Sequence, residues 1–112
     1  MSTRNYFING ITELLILSIL KHSDSYVYDI FKTILEYSDG HLFISQNTIY
    51  TATYKLEAEN KISEYTKLVG RKRTRVYYHI EESGLKALEE LESNYFNTTI
   101  GVQRILTSLK EL

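Results

Sequence analysis

The chain has 112 residues, a hydrophobic fraction of 43% and a net charge of −1, the balance of one globular domain with a modest core. It contains no Cys, which removes disulfide frameworks and thiolate metal sites and fits a reducing cytoplasm. The apolar run 14–20 is far shorter than the about 20 residues a bilayer span needs, and its polar and aromatic flanks do not resemble a signal peptide, so neither membrane nor export is expected.

In chain order, Asn9 is placed to cap a first helix, with Glu13 in its first turn. Leu14, Ile16, Leu17 and Leu20 give that helix an apolar stripe, and Lys21 and His22 suit its C-terminal end. Asp24 or Ser25 is placed to cap a second helix running to about Tyr37, with Val27, Ile30, Phe31, Ile34 and Leu35 on one side. Ser38-Asp39-Gly40 ends it, Gly40 supplying a positive φ. Residues 41–44 are short, apolar and partly β-branched, and read as a small strand that joins a later hairpin.

Ser45 caps a third helix that ends at Asn60, a residue tolerant of the left-handed conformation. Ile49, Ala52 and Leu56 face the first two helices. Residues 62–69 and 74–80 carry the β-branched and aromatic side chains of two strands, joined through Gly70. Glu81-Glu82-Ser83 then opens a fourth helix with acids at its positive end; it runs from 84 almost to 112, interrupted by weak formers at 97–99 and Gly101. The order is α-α-β-α-β-β-α: mainly α with a small β-hairpin, a winged helix-turn-helix. Residues 1–83 are expected to form the winged-helix domain and 84–112 a long C-terminal helix.

The charge is unevenly spread. Seven cations lie between Lys55 and Arg75, four of them (Arg71, Lys72, Arg73, Arg75) at or just beyond the hairpin turn. Such a tip suits a polyanion, while the acidic stretch 81–92 turns another face away from it. The start of the third helix, Ser45-Gln46-Asn47-Thr48, is built from short polar side chains. These are mediocre helix formers but good partners for base edges and phosphates. Tyr50, Thr51, Tyr54 and Lys55 extend that face. A polar helix followed by a basic hairpin points to duplex DNA.

These segments together resemble the PadR family of bacterial transcriptional regulators. The likeness covers residues 10–91. Gly10-Ile11-Thr12-Glu13-Leu14-Leu15-Ile16-Leu17 is similar to the family's opening helix, and Tyr26-Val27-Tyr28-Asp29-Ile30 to its Gly-Tyr-Glu-Ile segment. Thr48-Ile49-Tyr50 with Lys55-Leu56-Glu57 resembles its recognition helix, and Arg75, Tyr77-Tyr78 and Gly84 its second wing strand and last helix. The chain departs from the pattern at Val27 (usually Gly), Thr51 (Pro), Asn60 (Gly) and Glu81 (a capping Thr), which marks a divergent member.

The resemblance implies a homodimeric, cytoplasmic DNA-binding repressor whose last helix builds the dimer. The residues agree: Leu85, Leu88, Leu91, Tyr95, Val102, Ile105, Leu109 and Leu112, with Leu106 beside them, recur at steps near 3.5. The first three leucines would pack on the domain itself. Leu91, Tyr95 and the residues from Val102 onward would meet a second subunit. Some compact members of the family bind flat aromatic compounds between the dimer helices, and Tyr95 and Phe96 are the candidate lining for such an effector.

No enzyme signature is present. His22, His41 and His79 have no metal spacing, and there is no Gly-rich phosphate loop or nucleophile elbow. The reading therefore needs no cofactor. The competing function is a winged helix that contacts protein, as in a plasmid or phage accessory factor, but such a wing has no need of four clustered cations.

Overall fold

The computed structural model describes residues 6–112, with side chains from residue 11 onward. Its elements are α1 (Tyr6–His22), α2 (Val27–Tyr37), α3 (Gln46–Ala58), β1 (Ile62–Leu68), β2 (Thr74–Ile80) and α4 (Glu82–Lys110). The strands form an antiparallel hairpin in which Ile62 faces Ile80 and Leu68 faces Thr74.

The core gathers where α1, α2, α3, the hairpin base and the first turns of α4 meet. Ile16, Leu17 and Leu20 come from α1, Val27, Ile30 and Ile34 from α2, and Ile49 and Leu56 from α3. Ile44, Ile62, Tyr78, Ile80 and Leu88 close it. Side chains recurring at three and four residues share a helix face, so these isoleucines and leucines leave water together, each contributing about 1.5–3 kcal/mol.

Three local expectations fail for identifiable reasons. The first helix begins at Tyr6, so Asn9 and Gly10 lie inside it and Glu13 is not in the first turn; one internal glycine costs only about 1 kcal/mol. The second helix takes neither Asp24 nor Ser25 as its cap. Tyr26 occupies the N-cap position without a side-chain bond, because the Asp24 carboxylate and the Ser25 hydroxyl are engaged elsewhere. Residues 41–44 form no strand, so the observed order is α-α-α-β-β-α. The edge of β2 is instead met by Ser25, which exchanges two backbone bonds with Tyr78 (3.2 and 2.7 Å). The 41–44 segment satisfies itself locally: Ser38 accepts from the backbone N–H groups of His41 and Leu42, and Ile44 enters the core.

Other elements close as expected. Ser45 accepts from the Thr48 N–H at 3.2 Å and so caps α3. Asn60 takes a left-handed φ of 60° past its end, and Gly70 takes 87° in the hairpin turn, where the Val69 N–H donates to the Arg73 carbonyl at 2.8 Å. Gly84 is needed for a different reason. A Cβ there would run into the Lys61 carbonyl oxygen, so a bare backbone lets α4 seat on the α3–β1 turn.

The last helix is unbroken across 97–99 and Gly101, since each weak former costs less than a hydrogen-bonded turn holds. Its 29 residues give a rod about 43 Å long. Only the first part packs on the core. Leu88 is buried and Leu91 partly so, but Leu85, expected inside, is 39% exposed.

Candidate nucleic-acid interface

Helix α3 divides cleanly into two faces. Ile49 and Leu56 are buried in the core, with Ala52 packed against it, and Thr53 is buried on the side of the hairpin. The opposite face leaves Gln46, Asn47, Tyr50, Thr51 and Tyr54 exposed. Ser45 and Thr48 are half-buried, and their hydroxyls lie 2.9 Å apart. Thr51 donates to the Asn47 carbonyl at 3.0 Å, which ties its hydroxyl to the helix. Lys55 is not a free cation: its ammonium sits 2.8 Å from the Glu13 carboxylate of α1, and that bond raises its pKa.

The hairpin also has two faces, because side chains alternate along a strand. Residues 62, 64, 78 and 80 belong to the face turned toward α3 and the core. Tyr78 is buried there; burial pushes its phenol up against an opposing bond from Thr53. Between α3 and this face runs a groove of about 360 Å³, lined by Tyr50, Thr51, Thr53, Tyr54, Glu57, Glu64 and Tyr78. Burial, reinforced by the neighbouring Glu64 carboxylate, raises the Glu57 pKa.

Residues 63, 65, 67, 75, 77 and 79 share the other face, which looks toward the α1–α2 loop. Tyr65 and Tyr77 stack with centroids 5.7 Å apart, and Tyr26 meets Tyr77 edge-on at 5.3 Å. The Arg75 guanidinium lies over Tyr26 at 4.0 Å and the Lys67 ammonium over Tyr77 at 5.3 Å. Asp24 closes the ladder. It accepts from the Tyr65 hydroxyl at 2.7 Å and contacts His79 Nδ1 at 2.8 Å. Burial pushes the Asp24 carboxyl up, but the bonds from Tyr65 and His79 outweigh it and hold it below the ordinary carboxylate value. The same bond raises the His79 pKa.

The structure therefore separates residues that the sequence groups together. Arg71, Lys72 and Arg73 occupy the turn and are exposed. Arg75 belongs to the ladder, on the strand face away from α3. No sequence pattern signals the Asp24 contacts or the Lys55–Glu13 pair. Strand alternation about the Gly70 turn is enough to put Lys67, Arg75, Tyr65, Tyr77 and His79 on one face, but nothing local says that Asp24 reaches them.

Beyond the core, α4 exposes Tyr95, Phe96, Ile100, Val102, Ile105, Leu106 and Leu109, and Leu112 past its end is exposed as well. Tyr95 and Phe96 touch edge-on at 5.4 Å. Among the described residues no group of three His, Asp or Glu side chains could hold a metal, and no helix is long and apolar enough to cross a membrane.

Three helices and a hairpin flanking a capped polar helix define the winged-helix class. The family model for transcriptional regulators of the PadR-like family matches residues 16–90, and the chain belongs to that family. Solved structures agree. A transcriptional regulator from Clostridium thermocellum is 29% identical, with a TM-score of 0.81 over 92% of this chain and 97% of its own. A protein from Streptococcus mutans is 33% identical, with a TM-score of 0.77 over 88% of this chain and 89% of its own. Bacillus subtilis PadR, solved in complex with operator DNA, is 25% identical, with a TM-score of 0.67 over 71% of this chain and 45% of its own. No curated protein matches the chain at a significant level.

Proposed function

We propose that this transcriptional regulator is a cytoplasmic, homodimeric repressor that reads duplex DNA with α3 and grips its backbone with the hairpin tip. The observation that carries this reading is the polar outer face of α3 standing beside a hairpin with three exposed cations at its turn. A relative of the same fold, Bacillus subtilis PadR, has been solved on operator DNA. Gln46, Asn47 and Thr48 meet base edges or phosphates, and Ser45 holds the first turn in shape. Tyr50, Thr51 and Tyr54 brace the backbone. Arg71, Lys72 and Arg73 neutralise adjacent phosphates. Lys55 and Arg75 play a smaller part, since each cation already has a partner within the chain.

The 84–112 segment supplies the dimer. Leu91 and Tyr95 begin a stripe that continues through Val102, Ile105, Leu106, Leu109 and Leu112, and a second copy covers it. Pairing sets two α3 helices one duplex turn apart, about 34 Å. Tyr95 and Phe96, exposed beside the stripe, give a flat aromatic effector something to stack on between paired α4 helices.

Selecting bound duplexes from a random pool, with sedimentation of the free protein, tests the proposal. Enrichment of two-fold symmetric sites and a dimeric mass are expected. An unenriched pool would contradict base reading, and a monomer would contradict the assembly.

A further inference from the structure

The hairpin has little to hold it in place except at its base. Its α3-facing side is anchored by Ile62, Tyr78 and Ile80 in the core. Farther out on that side, Thr66, Leu68, Thr74 and Val76 are exposed. The other side carries a second attachment absent from the core. The α1–α2 loop reaches the strands through three consecutive residues: Asp24 bonds Tyr65 and His79, Ser25 bridges the backbone of Tyr78, and Tyr26 packs between Tyr77 and Arg75. Asp24 thus joins β1 to β2 and both to the helical body.

We infer that Asp24, with Tyr26, is a positioning residue for DNA binding: the clasp it makes with Tyr65 and His79 sets the angle at which the cationic tip is presented beside α3. This rests on the DNA reading above and adds a residue that touches no DNA. A tip carried on two seven-residue strands swings through several ångströms for a small rotation at the base, and phosphate contacts fall off within that distance. Among the described residues, Asp29 accepts from the Ser25 hydroxyl at 2.9 Å. Glu81 lies near His79, and Lys67 and Arg75 sit over the tyrosines of the same ladder. The Asp24 bonds lie near the surface, with His79 52% and Asp24 34% exposed, so losing them loosens the tip without emptying the core.

Asp24→Ala tests this, with Asp24→Asn as the conservative partner. In the free protein, trypsin should cut at Arg71–Arg73 several-fold faster in Asp24→Ala, with the global melting temperature lowered by no more than roughly the 1–3 °C that the contact itself contributes. On duplex DNA, affinity should fall about fivefold, as an exposed multi-contact cluster would give. Asn, which keeps the acceptor for Tyr65, should fall between wild type and Ala. Combining Asp24→Ala with Arg71→Ala and Arg73→Ala should cost no more than the tip substitutions alone, because the clasp acts only through the tip. An unchanged cleavage rate, or a penalty that adds fully to that of the tip, overturns the positioning role. Wild-type protein that fails to bind duplex overturns the DNA reading, and the cleavage comparison then still decides whether Asp24 orders the tip.

Discussion

The winged head and the outer half of α4 both expose much of their surface, but with opposite chemistry. On the head, a filled core of isoleucines and leucines lies beneath polar and cationic side chains: Gln46, Asn47, Tyr50 and the Arg71–Arg73 turn. On the outer α4, Val102, Ile105, Leu106 and Leu109 stand 48–61% exposed with no core beneath them. A helix whose apolar stripe meets nothing among the described residues is stabilised by whatever covers it. The difference teaches a division of labour: one end is finished within the subunit and presents polar and cationic side chains, while the other leaves an apolar stripe that the proposed dimer would bury.

The largest break in this comparison comes from the unfinished end. Ile105→Glu with Leu109→Glu should turn a dimer into a monomer in sedimentation and weaken binding to a two-site duplex by at least about 100-fold, because the second half-site is no longer delivered on the same molecule. The head should keep its helical signal. A dimer that survives both charges would remove the stripe as the interface.

Seating α4 on the head comes next. Gly84→Ala pushes a methyl group into the Lys61 carbonyl, with Ile80 also close. Loss of about 1–3 kcal/mol in urea unfolding is expected. A neutral result would mean the turn can yield.

Asn47→Ala sharpens the account of the finished end. It should relax sequence choice by about 1–3 kcal/mol at the base it meets while leaving stability intact, since the side chain is exposed. Operator preference identical to wild type would take Asn47 out of the reading face.

The smallest effect is proton-linked. The His79 pKa is raised by Asp24, so that contact's contribution to stability is full below the histidine's ordinary 6.5 and is lost as pH rises through the raised folded value. Asp24 is lowered, so its contribution is full above 3.8 and is lost as pH falls through the folded value. His79 is 52% and Asp24 34% exposed, and solvent screening limits the effect. A decline of roughly 1–3 °C in melting temperature from pH 6 to pH 8.5 is expected, and His79→Gln should flatten it.

Much of this division is legible in the amino-acid sequence alone. The helix periods, the Ser45 cap, the Asn60 exit and the hairpin about Gly70 are local signals, and each appears where its chemistry puts it. What is not legible depends on competition between distant groups. The 41–44 segment has strand-like residues, yet the backbone groups of β2 at Tyr78 are claimed by Ser25. Asp24 has the chemistry of a helix cap, yet Tyr65 and His79, 41 and 55 residues away, hold its carboxylate. Arg75 reads as one more cation of the tip, yet strand alternation puts it over Tyr26. Leu85 fits the apolar repeat of α4 but lies on the rim of the packed region. Composition shows which groups can bond; only the fold decides which partner arrives.

The central claim, that α3 and the hairpin tip engage one duplex together, is tested most directly by salt titration of duplex binding for wild type and for Arg71→Ala with Arg73→Ala. The account predicts a steep linear fall of log affinity with log salt, and a slope shallower by about 0.9 for each phosphate contact removed. An identical slope in the two proteins would contradict it.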